Sequence, residues 1–317
     1  MSLIFKFEPY LKPVIWGGEK IAALKGIKCQ DNNIGESWEI SGVPGHESVV
    51  SSGEDKGLTL PKIIAKYGDK LIGKSYDPAN PSFPLLIKII DAKRDLSVQV
   101  HPDDTLAAKR HNCKGKTEMW YIVGSEPGAK IYAGLSKQLS PELYEKAIAE
   151  DTIMDALAAH ESHPGDVFFL PAGRVHAIGA GNILVEVQQT SDITYRIYDY
   201  NRVDADGKPR QLHTEQAKDA IDYTIYPDYV TDYDKTAKGA VRIVGCKYFQ
   251  VDKLTVDGQL QINDRTSFVT LTCVEGKCEV RADGETASLA PGETCLVAAS
   301  AANLTIEGHA TLISSML

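Results

Sequence analysis

The chain has 317 residues, of which 43% are hydrophobic and 24% charged, and its formal net charge is −9. These proportions are those of a soluble globular protein forming one large domain or two modest ones. The acidity argues against nucleic acid and anionic membranes, which are met by basic faces, but leaves room for a small phosphorylated ligand held by a few local cations.

The N-terminal stretch MSLIFKFEPYLKPVIWGGEK has neither the apolar core nor the cleavage pattern of a leader. No segment reaches the ~20 apolar residues that cross a bilayer. Residues 57–74 place apolar side chains at helical spacing behind Thr59 and Pro61 and predict a helix. Strands are predicted at 85–90, 96–101 and 118–123. A second helix over 140–160 opens with Ser140 as N-cap, Pro141 at the first helical position and Glu142 in the first turn. Strands follow at 167–170, 183–189 and 193–200. Residues 200–240 read as a polar connection with one short helix near 214–221. Strands then resume at 241–245, 248–255, 268–274, 277–281, 293–298 and 303–306.

Short strands at this spacing predict a mainly β protein built as a sandwich or barrel, with a few peripheral helices. Two units are expected: 1–235, carrying both long helical segments, and 236–317, a smaller β module. An internal echo links HPGDVFFLPAGRVHAI (163–178) to APGETCLVAASAANLTI (290–306), which share a Pro-Gly-acid turn before an apolar strand. Only the first copy contains a histidine after that strand, so the second module is expected to lack metal ligands. Six cysteines, at 29, 113, 246, 273, 278 and 295, form no CxxC pair and read as reduced thiols of a cytoplasmic protein.

The polar residues at strand ends carry the chemistry. In SVQVHPDD, Gln99 and His101 point to one face of a strand and Val98 and Val100 to the other, until Pro102 ends it. Glu118 in TEMWYIVG shares its face with Trp120 and Ile122, an apolar setting in which an unpaired carboxylate is costly. His176 follows a Pro-Ala-Gly turn that returns the chain over the sheet. An amide oxygen, two imidazoles and a carboxylate suit a borderline divalent cation such as zinc, with a position left for water or substrate. On spacing alone the bland alternative stands beside this one: Glu118 paired with Lys88 or Lys116, and the histidines hydrogen-bonded within the core.

Three stretches, QVHPDD, GKTEMWY and PAGRVHAIGAGNILVEVQQTSDITYRIYDYNR, resemble the type I phosphomannose isomerases in their shorter bacterial form. The likeness begins at PYLKPVIWGG, passes through GESWEIS at 35–41 and reaches about residue 213; the C-terminal module fits more loosely. The resemblance implies cupin-type jelly-roll barrels and an enzyme interconverting mannose 6-phosphate and fructose 6-phosphate. It also implies one zinc ion per chain, held by Gln99, His101, Glu118 and His176, with Arg196, Asp192, Lys88 and Lys116 in the catalytic pocket.

Such an enzyme moves a proton between C1 and C2 through an enediolate, whose charge a metal and an arginine can stabilise. Arg196 is expected to serve there, oriented by an ion pair with Asp192 on the same strand face. Lys88 and Lys116 are candidates for proton transfer, ring opening or phosphate contact. Arg174 either reaches the phosphate or caps its turn, and Trp16 and the Trp38–Glu39 pair are expected to shape the pocket floor. The expected partner is a small hexose 6-phosphate, with no nucleic acid and no membrane, on a monomer or weak homodimer. Two other classes fit the same cage: a cupin oxygenase or epimerase using iron or manganese, and a non-catalytic sugar-phosphate-binding cupin.

Overall fold

The computed structural model describes residues 1–203, 207–263 and 265–317. Its strands make three antiparallel sheets. Six strands form the first, in the order Val167–Leu170, Glu118–Ser125, Asn182–Gln189, Leu85–Ala92, Ile34–Ile40 and Tyr10–Gly18. Five form the second: Tyr195–Tyr198, Val98–Val100, His176–Ile178, Lys130–Leu135 and Leu157–Glu161. Between these two sheets lie Trp16, Ile90, Trp120 and Leu184 from one side and Ile131, Ala133 and Ile178 from the other. The mainly β, cupin-type architecture expected from the sequence is the one observed.

The central strands are buried on both faces, and the two faces do different work. On Leu85–Ala92, Ile87 and Ile89 join a core with Phe249, Val251, Phe268 and Leu296 of the C-terminal module. The opposite face turns Lys88 and Ile90 toward a cavity. Strand period two therefore gives one face to the module contact and the other to the site. The second sheet is covered outside by helices Pro141–Ala149 and Thr214–Ala220, where Tyr144 and Ala217 pack on Val98, Val100 and Tyr195.

The C-terminal module closes around its own core of Leu254, Leu271, Val280, Leu304 and Leu312. One strand of its sheet comes from the far end of the chain: Ile4–Glu8 pairs with Thr294–Val297. Two strands there are much longer than predicted. Gln250–Ile262 and Leu304–Met316 pair without a break from Gln250↔Met316 to Ile262↔Leu304.

Several boundaries differ from expectation. The strands predicted at 268–274 and 277–281 are one strand, Val269–Ala282, bulged between Cys273 and Glu275. Just past that bulge Gly276 sits at φ 76°, and a side chain there would meet the His309 carbonyl. The 57–74 helix is split by Gly68 into Leu60–Tyr67 and Asp69–Ile72. The 140–160 helix begins as predicted, with Ser140 accepting from Leu143 N–H, but stops at Ala149. Asp151 then takes a left-handed φ of 58°, and Leu157–Glu161 becomes an edge strand against Lys130–Leu135. Pairing with an open sheet edge outweighs the helical propensity of that alanine-rich stretch. Strands Tyr10–Gly18 and Ile34–Ile40 and helix Asp104–His111, capped by Asp103, had no predicted counterpart.

Candidate functional site

Sheet register brings the distant donors together. His176 lies opposite Gln99 on neighbouring strands, and Gln188 opposite Glu118. Glu118 Oε1 is 3.2 Å from His176 Nε2, and Glu118 Oε2 is 3.5 Å from His101 Nε2. One ligand atom from each of His101, Glu118 and His176 falls within 4.8 Å of the others. Gln99 Nε2 is 3.3 Å from His176 Nε2, so the side-chain amide borders the same point.

Both imidazoles are held from behind. His101 Nδ1 meets the Ile193 carbonyl at 2.8 Å, and His176 Nδ1 meets the Arg174 carbonyl at 2.8 Å. A proton on each Nδ1 satisfies those carbonyls and leaves each Nε2 lone pair facing Glu118. Burial keeps both rings neutral: it lowers the His176 pKa to about 3 and, helped by the Lys116 charge, takes His101 well below its ordinary value. Burial raises the fully enclosed Glu118 to about 7 against the pull of Lys116. Glu118 Oε1 has no hydrogen-bond donor, a costly condition for a buried carboxylate and one that a cation would relieve. Two neutral imidazoles, one carboxylate and a neighbouring amide fit a divalent metal.

The bland alternative is present as well, in part. Lys116 Nζ donates to Glu118 Oε2 and lies 3.2 Å from His101 Nε2. Lys88, by contrast, pairs with Glu186 at 3.1 Å and Glu36 at 3.5 Å, not with Glu118. Glu36 and Glu186 each accept from an indole N–H, of Trp38 at 2.7 Å and of Trp120 at 2.8 Å. Burial opposes their ionisation, but Lys116 and Lys88 outweigh it at Glu186, whose pKa falls to about 2; Lys88 and Lys12 lower Glu36 likewise. Burial would also discharge Lys88, yet Glu186 and Glu36 hold it protonated.

A cavity of about 490 Å³ opens onto these groups. Lys88, Lys116, Gln99, Asp192 and Arg196 all line it, as do Trp16 and Trp38. Glu36, Glu186 and Arg210 also line it, and the sequence reading did not single them out. Glu186 had a visible signal, since the lone acid in ILVEVQQ mirrors the lone lysine in LLIKII. Arg210 had none, because a long connection delivers it.

Two expectations need correction, and of the two readings of Arg174 the turn-capping one is met. Asp192 precedes the strand Tyr195–Tyr198, and no ion pair joins it to Arg196 among the described residues. Arg196 instead donates to Ser97 Oγ at 3.3 Å and the Gln211 carbonyl at 2.9 Å, while Asp199 holds Arg202 and Arg210. Arg174 stays out of the cavity; it donates to the Phe169 carbonyl at 2.8 Å and stacks on Tyr226 and Tyr229. Glu39 faces away from the floor that Trp38 helps to form and pairs with Lys25 at 2.7 Å.

Two family profiles match the chain: "Phosphomannose isomerase type I, catalytic domain" over residues 4–147 and "Mannose-6-phosphate isomerase, cupin domain" over 241–317. Among curated relatives, mannose-6-phosphate isomerase ManA of Bacillus subtilis is 34% identical over 314 residues, 98% of each chain. The mannose-6-phosphate isomerase of Streptococcus mutans is 33% identical over 304 residues, 95% of this chain and 94% of its own. The crystal structure of mannose 6-phosphate isomerase from Bacillus subtilis superposes with a TM-score of 0.91 at 32% identity, covering 100% of both chains.

Proposed function

Because the chain belongs to the type I phosphomannose isomerase family, we propose that it interconverts mannose 6-phosphate and fructose 6-phosphate at the cavity lined by Lys88, Gln99, Lys116 and Glu186, beside His101, Glu118 and His176. The observation that carries this reading is the convergence of those three ligand atoms within 4.8 Å, beside the buried Lys88–Glu186 pair. Zinc held by Gln99, His101, Glu118 and His176 would supply Lewis acidity to polarise the sugar's carbonyl.

The chain's own groups manage the proton and the charge. Lys116, on the cavity wall against His101 and Glu118, takes the proton from C2 as a neutral amine and returns it to C1 from the resulting ammonium. Glu186, an ionised carboxylate 3.9 Å from Lys116, stabilises the ammonium that Lys116 carries between those steps. Lys88 stays an ammonium throughout and stabilises the enediolate from the sheet floor. Arg196 and Arg210 stand together on the cavity wall with Ser97 and Thr194, a cationic, hydroxyl-bearing surface suited to the dianionic phosphate. Asp192 lines the same wall and orients sugar hydroxyls.

Catalysis belongs to residues 1–235, with Ile4–Glu8 lent to the sheet of the 236–317 module. No helix among the described residues is long and apolar enough to cross a membrane, and the reading places the protein in the cytoplasm as a monomer or weak homodimer. The test is a coupled assay of fructose 6-phosphate formed from mannose 6-phosphate, before and after chelation. Turnover with about one zinc per chain, lost on chelation and restored by zinc, is expected. Full turnover by metal-free protein removes the metal from the reading; binding of the sugar phosphate without turnover removes the isomerase.

A further inference from the structure

The two copies of the internal echo fold alike. In the first, His163 N–H donates to Asp166 Oδ2 at 2.7 Å, Asp166 N–H to the His163 carbonyl at 3.0 Å, and Gly165 N–H to Ile122 at 2.8 Å. In the second, Ala290 N–H donates to Glu293 Oε2 at 2.8 Å, Glu293 N–H to the Ala290 carbonyl at 3.0 Å, and Gly292 N–H to Cys273 at 2.8 Å. The second copy has no metal ligand after its strand, but its turn touches the catalytic unit. The Gly292 carbonyl accepts from Lys25 Nζ, and the same ammonium lies 2.7 Å from Glu39 Oε1.

This contact is closed to water: the side chains of Lys25 and Glu39 are 7% and 5% exposed. Ser37 Oγ donates to Glu39 Oε1 at 2.6 Å. Ser37 and Glu39 occupy one face of strand Ile34–Ile40, and Glu36 and Trp38 the other, where they line the cavity and hold Lys88. At Gly292 itself there is no room for a side chain: its φ is +79°, and a Cβ would stand 2.7 Å from Lys25 Cγ.

We propose that the Ala290–Glu293 turn of the C-terminal module positions the substrate cavity, acting through Lys25 and Glu39 on the strand that presents Glu36 and Trp38. Lys25, Glu39 and Gly292 are positioning residues; none touches the cavity. A strand with one face on the substrate and the other pinned by a buried ion pair cannot shift without breaking that pair. The second module thus has the same turn as the first and uses it as a brace.

The proposal rests on the isomerase reading for its kinetic arm alone. Lys25→Met/Glu39→Gln removes both charges, so neither is left buried by itself, and Gly292→Ala crowds the Lys25 stem with all charges kept. In both full-length variants, hydrogen exchange of amides 34–40 is expected to rise about tenfold, with bound metal unchanged. The KM for mannose 6-phosphate is expected to rise about tenfold, with kcat changed less. If a folded variant keeps either wild-type exchange at 34–40 or wild-type KM, the brace is overturned. Absence of turnover in the wild type would sink the isomerase reading instead, and the exchange arm would still decide the brace.

Discussion

Lys88 and Glu186 face one another directly across adjacent antiparallel strands, Nζ 3.1 Å from the carboxylate, with both side chains buried. Neither is a surface charge that drifted inward. Each interrupts a run of aliphatic residues; Glu186 is the main charge compensating Lys88, while Lys116 and then Lys88 compensate Glu186. Glu186→Gln keeps the shape but removes the charge that balances Lys88 and Lys116, and is expected to lower kcat by about 100- to 1,000-fold and to lower the melting temperature as well. Lys88→Met leaves two buried glutamates short of a cation and should destabilise the fold by about 3–5 kcal/mol. Steady-state kinetics beside thermal melts separate the two effects; a fully active Glu186→Gln would contradict this assignment.

The metal-site side chains should not be equivalent. His176→Ala removes a neutral nitrogen whose orientation is set by the Arg174 carbonyl, and is expected to abolish metal retention after dialysis. Gln99→Ala removes only a weak neutral donor and should weaken retention about 10- to 100-fold without abolishing it. Metal analysis of the dialysed variants gives the ranking directly. Equal retention in both would argue against a metal between them.

Arg210→Ala should raise the KM for mannose 6-phosphate about 10- to 100-fold, the loss of one charge-assisted hydrogen bond, and leave kcat within a small factor. Arg196→Ala, closer to Gln99 along the sheet, should affect kcat as well. A comparison with unphosphorylated mannose makes the measurement specific. The Arg210 variant should lose its disadvantage when the phosphate is absent.

Asp199 sets a limit on stability in acid. Burial would raise its pKa, but hydrogen bonds from Arg210 and Arg202 outweigh burial and hold it below the usual carboxylate value. A folded-state pKa depressed in this way contributes stability above the unfolded value of about 3.9 and loses it as pH falls through the folded one. Asp199→Asn should therefore be less stable than wild type at pH 7, and the gap should close below about pH 4. Urea melts at the two pH values measure it.

All six cysteines are unpaired, and they fall into two classes. Cys29, Cys113 and Cys246 are partly exposed, whereas Cys273, Cys278 and Cys295 are enclosed in the C-terminal module. Burial pushes the Cys273 and Cys278 thiols up to about 12 and about 11, and Cys295 higher still. A thiol reagent should modify three groups in native protein and six after denaturation.

Local sequence determined which residue types stand at which strand ends, and most strands between 85 and 200 follow from alternation and turn residues alone. Gln99, His101, Glu118 and His176 were legible for the same reason: a polar side chain placed inside an apolar run is conspicuous wherever it is paired later. The tertiary structure decided everything that depends on register. It set Glu186 opposite Lys88 and His176 opposite Gln99. It gave Arg196 to Ser97 in place of Asp192, and it carried Ile4–Glu8 across to the C-terminal sheet. Period-two patterning says which way a side chain points and nothing about which strand will lie beside it. Neighbours are chosen by the burial of whole faces, a property of the assembled sheets that no short stretch contains.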